Sequence, residues 1–552
     1  MFEEPSINGP REVKDTPAPA GTGTAAMQAD ESMTLAQSGK EAAEVYFLPD
    51  IEGEVRPNAP TGRAKSVQGK TVTADGASCG GDKGRAELGS LLNRIEQDGE
   101  NLERQYRQVL RQDQTLTRKL VSFQANKSRS IYRWYKYKEG FSAELVEYFL
   151  TRYDIPKGRV LDPFAGSGTT LFAATALGFD AEGVELLPIG QAIIDTKQRI
   201  DEGLTSNHLA ILAQWANCSP WDRIIASEPI PELRITRGAY PQDTAAEMSR
   251  YLAHVNNESD PVRSILRFAL LCILESISYT RKDGQYLRWD HRAGRQRGLK
   301  QFDKGRIVPF KEAIQAKLRE IVSDLTLPAS QPDLFYEEEP DKGAIVLHRG
   351  SCLEILPSVP AKSHDCIITS PPYCNRYDYT RTYALELALL GVTEKALSEY
   401  RQSMLSCTVE NRAKDLIGMC DAWKLPISCA ESHELLSTIV AFLNLQGELG
   451  LLNNSGIPRM IKGYFYEMAC VVYECHRILK PGGVLIMVND NVRYAGVSIP
   501  VDLILSDFAR TLGFAVESIL VLPDGKGNSS QQMGAHGRDS LRKCVYVWRV
   551  LE

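Results

Sequence analysis

Residues able to do chemistry cluster where two apolar runs stop. Residues 369–373 read Thr369-Ser370-Pro371-Pro372-Tyr373 and follow His364-Asp365-Cys366-Ile367-Ile368. Proline has a fixed φ and no N–H, so Pro371-Pro372 end strand pairing and stiffen the backbone. The turn holds Ser370, the carbonyls beside it and the Tyr373 ring in one arrangement at a strand's carboxyl end. In open α/β sheets ligands bind at that edge.

The second cluster is Val160-Leu161-Asp162-Pro163-Phe164-Ala165-Gly166-Ser167-Gly168-Thr169-Thr170, which joins a strand to a helix. Two glycines allow a tight turn and close approach to a ligand, and the helix start offers free N–H groups. The third glycine of a dinucleotide fingerprint is missing. Asp162, at the strand end, suits an ammonium rather than a pyrophosphate. Glu185 ends the next strand, where a carboxylate takes both hydroxyls of a ribose. An α-amino acid at one end and a ribose at the other describe S-adenosylmethionine.

The elements that must position these residues alternate from Gly158 onward. Residues 159–161, 181–185, 344–348, 365–369 and 483–488 read as strands, and 169–177 as a helix. Strand, crossover helix and strand in repetition predict a parallel sheet covered on both faces. Two interruptions are too long to be plain connections, so each is expected to be an inserted subdomain. Before the alternation, Leu88, Leu91, Leu92, Ile95, Leu102 and Leu110 recur near helical spacing among charges. They predict an amphipathic helix that packs on its own domain or on a partner.

Asp162-Pro163-Phe164-x-Gly166-Ser167-Gly168-Thr169-Thr170 together with Ser370-Pro371-Pro372-Tyr373 resembles the amino-methylating DNA methyltransferases. That family carries D-P-F-x-G-x-G-T-T for the cofactor and (D/N/S)-P-P-Y for the target nitrogen. Tyr137-Lys138-Glu139-Gly140-Phe141-Ser142 resembles the segment preceding their first strand, whose phenylalanine helps close the cofactor pocket. Arg477-Ile478-Leu479-Lys480-Pro481-Gly482-Gly483 is similar to the R-x-L-K-P-G-G turn of class I methyltransferases. In Arg349-Gly350-Ser351, Ser351 stands where the family usually has aspartate, so its hydroxyl or a backbone group takes over the contact to the adenine ring.

The resemblance implies a class I methyltransferase fold: Rossmann-like, with a mostly parallel seven-stranded sheet and helices on both faces. Two inserted, mainly helical subdomains and a disordered N-terminal arm complete the expectation. The expected divisions are an arm at 1–85, the amphipathic helix at 86–120 and the cofactor-binding half at 121–199. An inserted DNA-recognition region at 200–340, catalytic strands at 341–373, a helical insertion at 374–458 and the remaining sheet at 459–552 follow. It assigns S-adenosylmethionine to Phe141, Asp162, Pro163, Phe164, Gly166, Ser167, Gly168, Thr169, Thr170, Glu185 and Ser351. It assigns the target amine to Ser370, Pro371, Pro372 and Tyr373.

An exocyclic amine of cytosine or adenine is a poor nucleophile because its lone pair is delocalised into the ring. Acceptors for its two N–H groups, here the Ser370 side chain and the Pro371 carbonyl, favour a tetrahedral nitrogen with an outward lone pair. Tyr373 stacks on the base, which must leave the duplex to arrive. Serine at the first motif position is commonest among cytosine-N4 enzymes of the family, so cytosine is the expected target and adenine N6 the alternative. An RNA or protein-glutamine methyltransferase of the same fold, or an inactive DNA-binding protein, stands further off.

A DNA surface is expected between Tyr279 and Arg306, where cations outnumber acids and aromatic rings are interleaved. Arg281, Lys282, Arg288, Trp289, Arg292, Arg295 and Arg297 are the candidates, cations for phosphates and rings for stacking. The basic, aromatic stretch Arg129–Lys138 lies beside the cofactor segment and is expected to close the pocket. The cofactor half precedes the catalytic half, the reverse of the usual serine-type order.

A 552-residue chain with 43% hydrophobic and 24% charged residues is ordinary globular material, and its net charge of −6 confines nucleic-acid contact to local patches. Twelve cysteines without a CxxC pair fit free thiols in a reducing cytoplasm. No metal site is expected; Cys470, Cys475 and His476 read as core and surface positions. The expected partners are double-stranded DNA and a cognate restriction endonuclease or other defence protein, with no membrane.

Overall fold

Alternating side chains of the central strands enter two different cores. Val160, Cys366, Ile368, Val484, Ile486 and Val488 pack on one face of the sheet. Leu161, Ile367, Leu485 and Met487 pack on the other. Both faces are apolar, so the strands are buried on both sides, as parallel strands between helices must be.

The computed structural model describes residues 78–223, 225–283, 286–295, 301–326, 341–523 and 541–551. The expected N-terminal arm lies, up to residue 77, outside the described residues, as does Arg297. The strands are β1 (Leu110–Gln112), β2 (Arg159–Asp162), β3 (Asp180–Glu185), β4 (Thr280–Asp283), β5 (Tyr286–Trp289) and β6 (Ile345–Arg349). They continue with β7 (His364–Thr369), β8 (Leu479–Asp490), β9 (Val492–Tyr494), β10 (Val497–Ile499), β11 (Phe514–Val521) and β12 (Lys543–Val550). One sheet of eight strands runs in the order β1-β11-β12-β8-β7-β2-β3-β6, and β4–β5 and β9–β10 are separate hairpins. Only β12 runs antiparallel to its neighbours β11 and β8 in the large sheet.

The sheet thus has one strand more than the seven expected. The extra one, β1, pairs parallel with β11 at the sheet's edge. It comes from the stretch expected to be helical through residue 120. Helix α1 (Ser78–Tyr106) ends earlier, because Val109 and Leu110 find an open strand edge: the Ile519 N–H donates to the Val109 carbonyl at 2.8 Å. Ile95, Leu102 and Tyr106 of α1 are buried in the sheet's own core, so this amphipathic face is covered within the chain.

Helices α2 (Ala143–Arg152) and α3 (Thr169–Ala176) cover one face of the sheet. The long helix Ile457–Ile478 and the helix Val501–Thr511 cover the other. The first insertion forms four main helices and the β4–β5 hairpin around Trp215, Trp221, Tyr251, Phe268 and Phe310. Helix α4 (Pro188–Asp201) joins this core through Ile189 and Ile193. The second insertion divides by its apolar faces. Tyr383, Ala384, Leu385, Leu387, Ala388, Leu397 and Met404 join the core of the first insertion, whereas Leu416, Trp423, Leu436 and Phe442 join that of the sheet. All described residues belong to one compact unit, Ala74–Glu552. Among them no helix is long and apolar enough to cross a membrane.

Candidate active site

Parallel register brings the carboxyl ends of four strands into one row. Asp162 of β2 pairs with Gly183 of β3, Glu185 of β3 with Arg349 of β6, and Leu161 of β2 with Ile367 of β7. Asp162, Glu185, Gly350-Ser351 and Ser370, far apart in the chain, therefore meet at one edge. They border a cleft that opens to solvent.

Asp162 is buried at the cleft's floor. Its Oδ2 accepts from Thr170 Oγ1 at 2.7 Å, and its Oδ1 from Thr369 Oγ1 at 2.6 Å and the Phe164 N–H at 3.0 Å. Burial pushes the carboxyl up to about 6, against those three donors, which pull it down. Thr369, immediately before the proline turn, so ties the two motifs together. Thr170 does not reach the cleft wall; it orients Asp162. Gly168 is also off the wall and caps α3 with φ +77°, where an added Cβ would stand 2.8 Å from Ile194. Gly166, Ser167 and Thr169 line the cleft directly.

Glu185 is held by two backbone donors, the Gly166 N–H at 2.8 Å on Oε2 and the Leu187 N–H at 2.7 Å on Oε1. Burial raises its carboxyl to about 8, with both N–H groups opposing and the nearby Asp162 adding to the rise. Gly190 of α4 approaches so closely that a Cβ there would lie 2.5 Å from the Gly166 carbonyl oxygen and 2.7 Å from the Glu185 carboxyl carbon.

Phe141, Pro163, Phe164 and Ser351 also line the cleft. The Ser351 hydroxyl donates to the Ser403 carbonyl at 2.8 Å. That bond draws Ser403, Met404 and Leu405 of the second insertion in as a wall, which sequence reading missed. It also missed Glu139 and Tyr379 on the wall, and Lys197 beneath the loop. Tyr377 and Tyr383 both donate short hydrogen bonds to Glu139. Buried Lys197 donates to the Ser167 carbonyl at 3.3 Å, and burial pushes its ammonium down to about 8.

Ser370 and Pro372 complete the cleft. Ser370 Oγ lies 3.2 Å from both the Val488 carbonyl oxygen and Tyr373 Oη. A carbonyl only accepts, so the serine proton has a partner there and the Oγ lone pairs stay available. Pro371 is buried and Tyr373 half-buried beside the cleft rather than on its wall. The residues fit S-adenosylmethionine: a buried carboxylate for its ammonium, a second for a diol, and apolar walls from Phe141, Phe164, Leu187 and Leu405 for a flat ring.

A family model described as DNA methylase matches residues 58–189. Over 464 residues the chain is 53% identical to the type II methyltransferase M.AvaI of Nostoc sp. strain PCC 7120, covering 84% of this chain and 95% of that one. The chain belongs to the type II DNA methyltransferases. The type II methyltransferase M.AvaI of Anabaena variabilis matches to the same extent. The type II methyltransferase M.BsoBI of Geobacillus stearothermophilus is 40% identical over 472 residues, 81% of this chain and 91% of that one. Type II DNA methyltransferases are the modification enzymes of restriction–modification systems, and S-adenosylmethionine is their methyl donor.

The expected DNA surface divides. Arg281 and Arg288 are exposed and directly opposite each other on the β4–β5 hairpin. The Arg288 guanidinium lies 4.2 Å from the Phe302 ring centre, and that of Arg295 4.4 Å from half-buried Trp289. Arg292 is tied to Asp290 by two hydrogen bonds of 2.7 and 2.9 Å, so its charge is already matched. Lys282 does not belong to this surface. It is buried, and its ammonium donates to Glu386 at 2.5 Å and Tyr135 at 3.1 Å. Alternation along the strand turns it inward, opposite to exposed Arg281. Its ammonium also lies 4.6 Å from the Tyr383 ring, which stacks on Tyr137 of the cleft at 5.2 Å. Lys282 so links the hairpin to the cofactor cleft. In the stretch Arg129–Lys138, Tyr137 lines the cleft, while Arg133 and Trp134 bond to Asp324 of the first insertion.

Proposed function

We propose that the chain methylates the exocyclic N4 of cytosine in duplex DNA after the base has left the helix. The observation that carries this is the meeting of Ser370 and Pro372 with Asp162, Gly166 and Glu185 on one cleft. Serine rather than aspartate or asparagine in that turn favours cytosine over adenine. When bound, S-adenosylmethionine supplies a methyl group on sulfur whose departure needs no acid, because the sulfonium is already cationic. Asp162 holds the ammonium end and Glu185 the ribose hydroxyls. Ser370 Oγ and the Pro371 carbonyl accept the two N–H groups of the target amine. Tyr373 stacks on the base, a contact worth on the order of 1–3 kcal/mol by analogy with single strands. Positioning of this kind supplies as much as ~7–11 kcal/mol of a barrier.

The exposed face of the β4–β5 hairpin meets the phosphates. Arg281 and Arg288 face each other across the strands, and among the described residues neither pairs with a carboxylate. Like charges so placed cost stability, a cost that a polyanion removes. Residues 200–340 are the main recognition region, assisted by the second insertion. The enzyme acts in the cytoplasm as the modification partner of a restriction endonuclease. Purified enzyme offered duplex DNA, RNA and protein with labelled cofactor should label DNA alone, and digestion should yield N4-methylcytosine. N6-methyladenine as the product would overturn the cytosine assignment.

A further inference from the structure

Beside Tyr373, outside the cofactor cleft, stand two charged groups with no role in the reaction as described so far. Lys543 opens β12 and is the cross-strand partner of Asp490 at the end of β8. Both lie at the carboxyl end of β8, two residues beyond the Val488 carbonyl that meets Ser370. The Lys543 ammonium is 3.4 Å from Asp490 Oδ1 and 5.5 Å from the Tyr373 ring centre. An ammonium has three donors. The side chain is 25% exposed, so the ammonium is not closed off from a ligand beside Tyr373. Burial works against the charge, but Asp490 and Tyr373 together hold the ammonium above its ordinary range. The cation therefore persists when a base covers it.

A base stacked on Tyr373 with its amine at Ser370 has its pairing edge at the ring's periphery. Cytosine offers two acceptors along that edge beyond the amine, the ring nitrogen N3 and the carbonyl oxygen O2. Adenine, held by N6, offers N1 and then a C–H that accepts nothing. We propose that Lys543 reads the target base by donating to O2 of the everted cytosine, with Asp490 as the residue that positions its ammonium. The proposal rests on the cytosine-N4 reading above and makes Lys543 the group that rejects adenine.

The test measures binding of the enzyme's own duplex word in the presence of S-adenosylhomocysteine. The target position carries either cytosine or an analogue that keeps the amine and ring nitrogen but lacks O2. The wild type should bind the cytosine duplex roughly 10- to 100-fold more tightly, the usual loss when a charged donor forfeits its acceptor. Lys543→Met, and the charge-balanced Lys543→Met/Asp490→Asn, should bind both duplexes equally while keeping wild-type affinity for S-adenosylhomocysteine. The assignment is overturned if either variant retains the wild-type preference, or if the wild type shows none. The product base of the wild type separates the two readings. N4-methylcytosine with an unchanged preference in the variants removes Lys543 alone, whereas N6-methyladenine removes the cytosine reading and the lysine's role with it.

Discussion

Glu185→Gln changes one atom type and should weaken cofactor binding in a pH-dependent way. Both carboxylate oxygens of Glu185 accept a backbone N–H, from Gly166 at 2.8 Å and from Leu187 at 2.7 Å. An amide has only one oxygen, so its NH2 must face one of those donors. A buried N–H left without an acceptor costs roughly 1–3 kcal/mol, which falls on folding and lowers the melting temperature by a few degrees. The two ribose hydroxyls then meet a neutral partner instead of an anion, a difference of about 1 kcal/mol each. Together these weaken S-adenosylmethionine binding about 10- to 30-fold. The pH profile supplies the sharper readout. Burial keeps the free carboxyl protonated up to about pH 8, and hydroxyl donors favour the ionised form. Binding therefore expels a proton, and affinity should rise with pH through the neutral range, at most about tenfold per unit, and level off above about 8. Glu185→Gln should flatten that rise. Calorimetric titrations between about pH 6.5 and 9 decide. A variant that binds within about twofold of wild type and keeps the same slope would refute the assignment of Glu185.

Ser370→Ala and Tyr373→Ala should abolish or severely reduce methyl transfer while calorimetry finds cofactor affinity unchanged; the tyrosine's lost stacking accounts for ~10- to 100-fold. Gly190→Ala puts a Cβ 2.5 Å from the Gly166 carbonyl oxygen, so it should lose cofactor affinity and about 1–3 kcal/mol of stability in thermal melts. Lys282→Met leaves Glu386 buried without its cation and should cost about 3–5 kcal/mol of stability. Arg281→Ala and Arg288→Ala should leave the melting temperature unchanged or slightly higher, and each should lower the salt slope of DNA binding by about one.

The sheet and half of the site were legible in local sequence. Asp162, Glu185 and Ser370 each end or follow a short apolar run, and a strand's carboxyl end in a parallel sheet is where ligands bind. The Gly166–Gly168 turn and the Pro371-Pro372 stop are local backbone constraints that neighbouring residues settle. Local periodicity also found α1, but not its end, because Val109 and Leu110 are claimed by a strand edge more than 400 positions away.

Tertiary structure decided which polar groups meet. Thr369 reaches Asp162 across 207 positions, Ser351 holds Ser403 across 52, and Tyr383 reaches Glu139 across 244. Composition marked Lys282 and Arg288 alike as basic residues of one hairpin, yet the pleat buries the first against Glu386 and exposes the second. A strand's sequence fixes that neighbouring side chains take opposite faces. Which face is inside depends on what packs against it, and here that is a tyrosine and glutamate cluster gathered from two distant parts of the chain.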